Sequence, residues 1–298
     1  MSVQSMRMAR SGRRRTRGDA ARDVLLYVII LIFFLPSLWI VLTSVRARVE
    51  INAFPPAWLP SLSGLNVDSY KTLFGFPSEM FTATNIPFLD YVRNSVVISL
   101  VSTLFALAFG ALAGYIFARF RFKAKNGIFL SMMLARAVPG IALSLPLFIL
   151  FANLKLSDSI LGMIIVYVAM NVPFTAWLMD GFFRAIPEEL DDAAMIDGCS
   201  HWTAFLRVDL PLALPGVAAS GIFAFLTTWN EFALASVITR TPASRTFPPA
   251  LFEFTGQYVS DWRGMCAMSV MMLIPAVIFV ALVQRQLMEG LTSGAMKG

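Results

Sequence analysis

The stretch Glu188–Pro215, EELDDAAMIDGCSHWTAFLRVDLPLALP, is a charged island in a chain otherwise built of long apolar runs, and its reading decides the fold. Pro187 suits a first helical position because its φ is preset and its missing N–H is not needed there. Glu188, Glu189, Asp191 and Asp192 then lie beside the positive end of the helix dipole. Leu190, Ala194 and Gly198 recur every four residues, so they share one face, a narrow strip that another backbone could approach closely. Ser200 is a good N-cap for a second short helix, which is expected to end before Leu210-Pro211. The reading is a helix, a sharp turn and a helix, held between two membrane spans.

Outward from this island the chain is apolar. Its hydrophobic fraction is 57% and its charged fraction 14%, against roughly 45–50% and 25% for soluble domains, and mean hydropathy is +0.71. Runs near the length needed to cross a bilayer recur at 24–45, 91–118, 126–151, 160–179, 212–237 and 265–283. The expected fold is therefore an all-α integral membrane protein with six transmembrane helices. One membrane domain, 24–284, lies between an Arg-rich tail, 1–23, and a C-terminal tail, 285–298. The first run exceeds the 7–15 residues of a signal-peptide core and reads as an uncleaved anchor. Pro139-Gly140 and Pro146 are expected to kink the third span.

Six spans leave both termini on one side. With the 180–211 loop, both tails and the basic run Arg119, Arg121, Lys123 and Lys125 inside, fifteen Lys and Arg residues lie inside and eight outside, the bias expected of cytoplasmic segments. The net charge of +6 thus reports topology, since the arginines cluster at membrane edges instead of interleaving with aromatics for nucleic acid. The two cysteines, Cys199 and Cys266, fall on opposite sides and do not form a disulfide in this reading. His201 is the lone histidine and reads as a polar loop residue, leaving no His/Cys set for a metal. No Gly-x-x-x-x-Gly-Lys-[Ser/Thr] loop exists for nucleotide phosphates, so any ATP that drives this chain is bound elsewhere.

Asp192-Ala193-Ala194, three residues, Gly198, nine residues and Val208-Asp209-Leu210-Pro211 resemble the EAA loop of binding-protein-dependent ABC importer permeases. The spacing Glu-Ala-Ala, Gly, Ile-x-Leu-Pro is kept, with Asp192 for Glu and Val208 for Ile. GFFRAIPEEL before the loop, TTWNEF at 227–232 and GLTSGAMKG at 290–298 are similar to the second permease of the maltose-type carbohydrate-uptake subfamily. The resemblance implies a subunit of a type I importer in the bacterial inner membrane, moving a sugar by alternating access. Its implied partners are a homologous second permease, two ATPases that bind ATP and Mg, and an extracytoplasmic solute-binding protein. It implies an EAA coupling helix between spans four and five, with Glu189, Asp192, Ala193, Ala194, Asp197, Gly198, Leu210 and Pro211 contacting an ATPase. It also implies that Thr292, Ser293 and Gly294 of the tail touch the ATPases, where a frayed end is the alternative. The segment from Thr239 to Trp262 resembles one that reaches into the docked binding protein; its own residues read only as exposed, turn-rich and aromatic.

Intramembrane charges supply the remaining candidates, because a charge at a helix centre costs at least about 2.5–3.5 kcal/mol and normally faces protein or water. Arg136 lies about ten residues, roughly 15 Å, into span three. Asn171, Trp229, Asn230 and Glu231 join it as candidates to line the translocation path or its gate, Trp229 as a flat surface for a sugar ring. The competing readings are an Arg136–Glu231 ion pair and inter-helix packing by Asn171. The rival for the whole chain is an ion-coupled secondary carrier without ATPases, against which no second copy of either half is evident. The solute itself is not legible.

Overall fold

The computed structural model describes residues 17–55, 59–76, 86–256 and 260–295, with side chains described from 22 to 286. In chain order the helices are α1 (Arg17–Ser44), α2 (Arg48–Ile51), α3 (Asp68–Leu73), α4 (Phe88–Arg119), α5 (Lys125–Ala137), α6 (Gly140–Asn153), α7 (Ile160–Arg184), α8 (Glu188–Ile196), α9 (His201–Ala204), α10 (Leu210–Leu212), α11 (Leu214–Trp229), α12 (Ala233–Ile238), α13 (Phe247–Ala250) and α14 (Trp262–Ala295). A π-helical turn, Phe205–Asp209, joins α9 to α10. Among the described residues, α1, α4, α7 and α14 are long and apolar enough to cross a bilayer, and two bent helix pairs raise the number to six if each counts as one span.

Both bent pairs differ from simple kinked spans. α5 and α6 meet at 97°, because Val138 before proline and Pro139 itself are extended, with ψ of 124° and 131°. Pro146, expected to add to that kink, lies inside an unbroken α6. The segment His201–Leu212 meets α11 at 78°, and the fifth apolar run stops at Trp229 before α12 resumes at Ala233. Helix ends also move. α1 begins at Arg17, so the last residues of the anticipated tail form its first turns, and adding turns to an existing helix is cheap. α14 likewise runs to Ala295, through most of the anticipated C-terminal tail. Residues 1–16 and 296–298 lie outside the described residues.

α4 and α7 form the most extensive helix pair, with α11 across them and α14 behind. Small residues allow it: a Cβ at Gly114 would lie 2.7–2.9 Å from Met179 Cβ, Asp180 N and Ala176 O. Such close backbone approach is how membrane helices gain packing when lipid is as apolar as their side chains. α1 packs chiefly along α14, its last residue Ser44 also hydrogen-bonding Tyr70 of α3 at 2.7 Å, and the rest of its apolar surface is left open. Three apolar clusters run down the bundle. One, near α13, holds Phe88, Tyr91, Phe225, Trp229 and Phe247; one holds Ile98, Met163, Tyr167 and Leu234; one, near α8, holds Tyr115, Met179, Phe183 and Phe205.

The segment expected to be exposed and aromatic is instead largely packed. Phe247, Pro248, Pro249 and Ala250 are buried, and the Phe247 ring sits 5.6 Å from Trp229 and 5.7 Å from Phe88. Burying one such ring contributes about 1.5–3 kcal/mol, which a free connector would forgo. Polar ties hold it. Asn94 donates to the carbonyls of Pro242 and Arg245 at 2.8 and 3.0 Å, and Phe247 N–H donates to Ser95 at 2.8 Å. Asp158, in the α6–α7 turn, accepts from Arg240 N–H at 2.8 Å, Thr241 N–H at 3.0 Å and the hydroxyls of Thr241 and Ser244.

Burial alone would raise the Asp158 carboxyl, but the Ser244 hydroxyl with the Thr241 and Arg240 donors pulls it down to about 2. A folded value below the free value of about 3.9 stabilises the loop fully above about pH 4, and that stabilisation is lost as pH falls through about 2. Asp158→Asn, which trades one acceptor oxygen for a donor, is expected to speed protease cleavage between Thr239 and Ser244 several-fold at neutral pH. Equal cleavage of variant and parent would show that Asp158 does not hold the loop.

Candidate functional site

The charged island folds as two helical pieces around Gly198. Pro187 is extended at ψ 133° and caps α8, one position ahead of the expected first helical place. The helix closes with Cys199 N–H on Ala194 O at 3.0 Å and Gly198 N–H on Met195 O at 3.1 Å, a Schellman end that requires a left-handed residue. Gly198 supplies it at φ +87°. Ser200 then caps α9 by accepting from Thr203 N–H at 3.3 Å.

The second helix passes the position where it was expected to stop. Leu210 N–H bonds five residues back to Phe205 O, and this widened π turn carries the chain through Pro211 to Leu212. A π turn tolerates the proline because the ring's missing donor falls where the regular ladder is already interrupted. Phe205 packs against Tyr115 at 4.9 Å beneath the hairpin. His201 stays exposed, its ring centre 5.2 Å from that of Phe120 in an edge-on arrangement.

Glu189, Asp192, Ala193, Ile196, Asp197 and Gly198 form the open face of this unit. Ala194 is turned inward at 8% exposure, so the anticipated strip of Leu190, Ala194 and Gly198 is not one open surface. Its reason is packing, since α8 lies on α9 and the π turn through that side. Leu210 is half-buried and Pro211 exposed. Thr292, Ser293 and Gly294 fall in the last turns of α14, their side chains outside the described part.

Behind the open face stands Arg119, whose place in the basic run after α4 marks only topology in the sequence. Arg119, at the end of α4, pairs with Asp191 of α8 at 2.6 Å and with Asp209 of the π turn at 3.0 Å. It also donates to Ile186 O at 3.1 Å. Asp209 is fully buried. No local pattern announces this, because Arg119 and Asp209 stand 90 residues apart.

A second feature lies at the α5–α6 elbow, a cavity of about 540 Å³ lined by Arg136, Pro139, Leu143, Met170 and Thr227 among others. The Arg136 guanidinium lies 4.5 Å from the Phe174 ring and 5.0 Å from the Phe223 ring, with Nη1 3.5 Å from Met170 O. These two rings stabilise the cation by their quadrupoles, and neither was singled out from the sequence. Glu231 does not meet Arg136. Its carboxylate accepts from Leu234 and Ala235 N–H at 2.9 and 3.0 Å and from Tyr167 OH at 2.8 Å, capping α12 where the fifth run breaks.

Asn171 is buried between helices, donating to Tyr167 O at 2.9 Å and Thr228 Oγ1 at 3.0 Å. Trp229, 2% exposed, donates to Met272 O at 3.2 Å and is not among the cavity's lining residues. Asn230 is exposed and folds back onto Leu226 O at 2.9 Å. Of the five intramembrane candidates, Arg136 alone lines the elbow.

Residues 106–292 match the family described as binding-protein-dependent transport system inner membrane component. The chain is 34% identical over 272 residues to a probable ABC transporter permease protein, y4oR, of Sinorhizobium fredii, covering 91% of this chain and 92% of that one. It is 31% identical over 264 residues to the diacetylchitobiose uptake system permease protein DasC of Streptomyces coelicolor, covering 88% and 91%. The fold is similar to a chain in the crystal structure of a bacterial ABC transporter involved in import of the acidic polysaccharide alginate, with TM-score 0.73, 19% identity and coverage of 91% and 98%.

Proposed function

Because the chain belongs to the binding-protein-dependent transport inner-membrane components, as an ABC transporter permease of the carbohydrate-uptake type, we propose that it imports a sugar or sugar derivative into the cytoplasm by alternating access. ATP and Mg are bound and ATP is hydrolysed in separate ATPase subunits, and both termini of this chain are cytoplasmic. A homologous second permease covers the open apolar surface of α1 and the exposed Leu130, Leu134, Ile141 and Leu145 of α5 and α6, and an extracytoplasmic solute-binding protein delivers the solute.

The observation that carries this reading is the open acidic face of α8, rigidly ended by the Gly198 turn and standing clear of the bundle. Glu189, Asp192, Asp197 and Gly198 there offer charge and close backbone approach to an ATPase cleft, and Leu210 and Pro211 carry the movement into α11. The elbow cavity beside Arg136 contributes to the path, the guanidinium offering paired donors to solute oxygens. The helical end of α14, with Thr292, Ser293 and Gly294, is a further ATPase contact.

Purifying the solubilised chain from its own membrane is expected to recover a second permease and an ATPase, with hydrolysis stimulated by the loaded binding protein. A chain that came down alone and moved solute on an ion gradient without ATP would overturn the proposal. Arg136→Ala is expected to lower uptake at least about fivefold while leaving the ATPase attached. Unchanged uptake would remove Arg136 from the path.

A further inference from the structure

We infer that Arg119 is a positioning residue that binds the α8 hairpin to α4, so that movement at α8 reaches the bundle through α4 as well as through α7 and α11. The inference rests on α8 being the ATPase contact. Sequence adjacency would route the movement only through α7, which enters the loop, and α11, which leaves it. The structure adds a third connection. The guanidinium, 8% exposed, holds one partner in each of three pieces: the Ile186 carbonyl before α8, Asp191 within α8 and Asp209 in the π turn.

Each contact constrains a different degree of freedom. Ile186 and Asp191 fix the start and middle of the docking unit against the end of α4, and Asp209 fixes the turn leading into α11. A fully buried carboxylate is tolerated when paired, so Asp209 stays against the Arg119 guanidinium and ties the π turn to the end of α4. Arg184, at the end of α7, also grips this place by donating to Phe117 O at 3.0 Å. The end of α4 is thus held from two sides, and α4 and α7 share the most extensive helix contact in the bundle. Arginine suits the task because its planar fork reaches several acceptors at once, whereas a lysine ammonium is a single point on a flexible stem.

The test compares Arg119→Lys and Arg119→Gln in the purified full transporter, alongside Gly198→Asp. Solute transported per ATP hydrolysed is expected to fall at least about tenfold in both Arg119 variants, within the range of site-to-site coupling. The ATPase remains attached and basal hydrolysis continues, a pattern that collapse of the fold would not produce. Wild-type coupling in both variants overturns the inference, and a simultaneous loss by Gly198→Asp shows that α8 docking itself survives. Loss of the ATPase from the Arg119 variants also overturns it, in favour of a role in shaping the docking face. If neither Arg119 variant accumulates in the membrane, Asp191→Asn, an isosteric change nearer the surface, decides: reduced transport per ATP supports the inference and wild-type coupling overturns it.

Discussion

Gly198→Asp is expected to reduce uptake and solute-stimulated ATP hydrolysis to below about a tenth of wild type, a loss within the span of allosteric coupling energies, while the chain still inserts. Two effects have to be separated. Gly198 holds φ +87° at the end of α8, and a Cβ there would meet nothing within 4 Å of its own chain. The substitution therefore costs the folded chain only the left-handed strain, roughly 1–2 kcal/mol, and no steric clash. Any larger loss has to come from what docks against the position. Gly198→Asn tolerates the left-handed conformation better than most residues and adds no charge, so it is expected to retain more transport than the aspartate. Normal uptake by Gly198→Asp would sink the docking role of this face. Equal loss in both variants would assign the effect to bulk instead of charge.

Gly114→Ala is the second large effect and acts on the fold. The added Cβ would stand 2.8 Å from Asp180 N and 2.9 Å from Ala176 O, backbone atoms of α7 that no rotamer change can move. α4 and α7 would have to part, and overpacking of this kind costs typically about 1–3 kcal/mol. Gly181→Ala is the control, since its Cβ meets nothing within 4 Å, and it trades a poor helix former for a good one at a gain of up to about 1 kcal/mol. The thermal midpoint of the purified protein is expected to fall for Gly114→Ala and to hold or rise for Gly181→Ala. An unchanged midpoint for Gly114→Ala would mean that the α4–α7 approach is looser than the structure has it.

Arg136 and Glu231 illustrate how far residue chemistry alone reaches. Both were recognisable as expensive groups inside apolar runs, and an ion pair between them was a reasonable outcome. Glu231 instead finds two backbone N–H groups and the Tyr167 hydroxyl within its own neighbourhood, and Arg136 finds two rings. Neither solution needs a residue type that stands out in a sequence, because backbone amides and phenylalanines occur everywhere. Trp229 shows the same limit. Its aromatic face suggested an exposed platform, yet burial against Phe225 and Phe247 follows from how α11, α13 and α14 meet.

Local physical chemistry was enough for much else. Apolar runs of bilayer length, basic residues at their edges, and the Pro187, Gly198 and Ser200 punctuation of the charged island are set by solvation and backbone geometry within a few residues. They determined a helical membrane protein with a helix–turn–helix insertion, and the motif spacing carried the family. What only the tertiary structure decided involves surfaces that meet only when the pieces pack: the buried segment around Phe247, the inward turn of Ala194 and the Arg119–Asp191–Asp209 cluster. The physical reason is the same for each. Burial and pairing depend on which surfaces meet when the helices assemble, and no periodicity within a helix records what lies on the helix beside it.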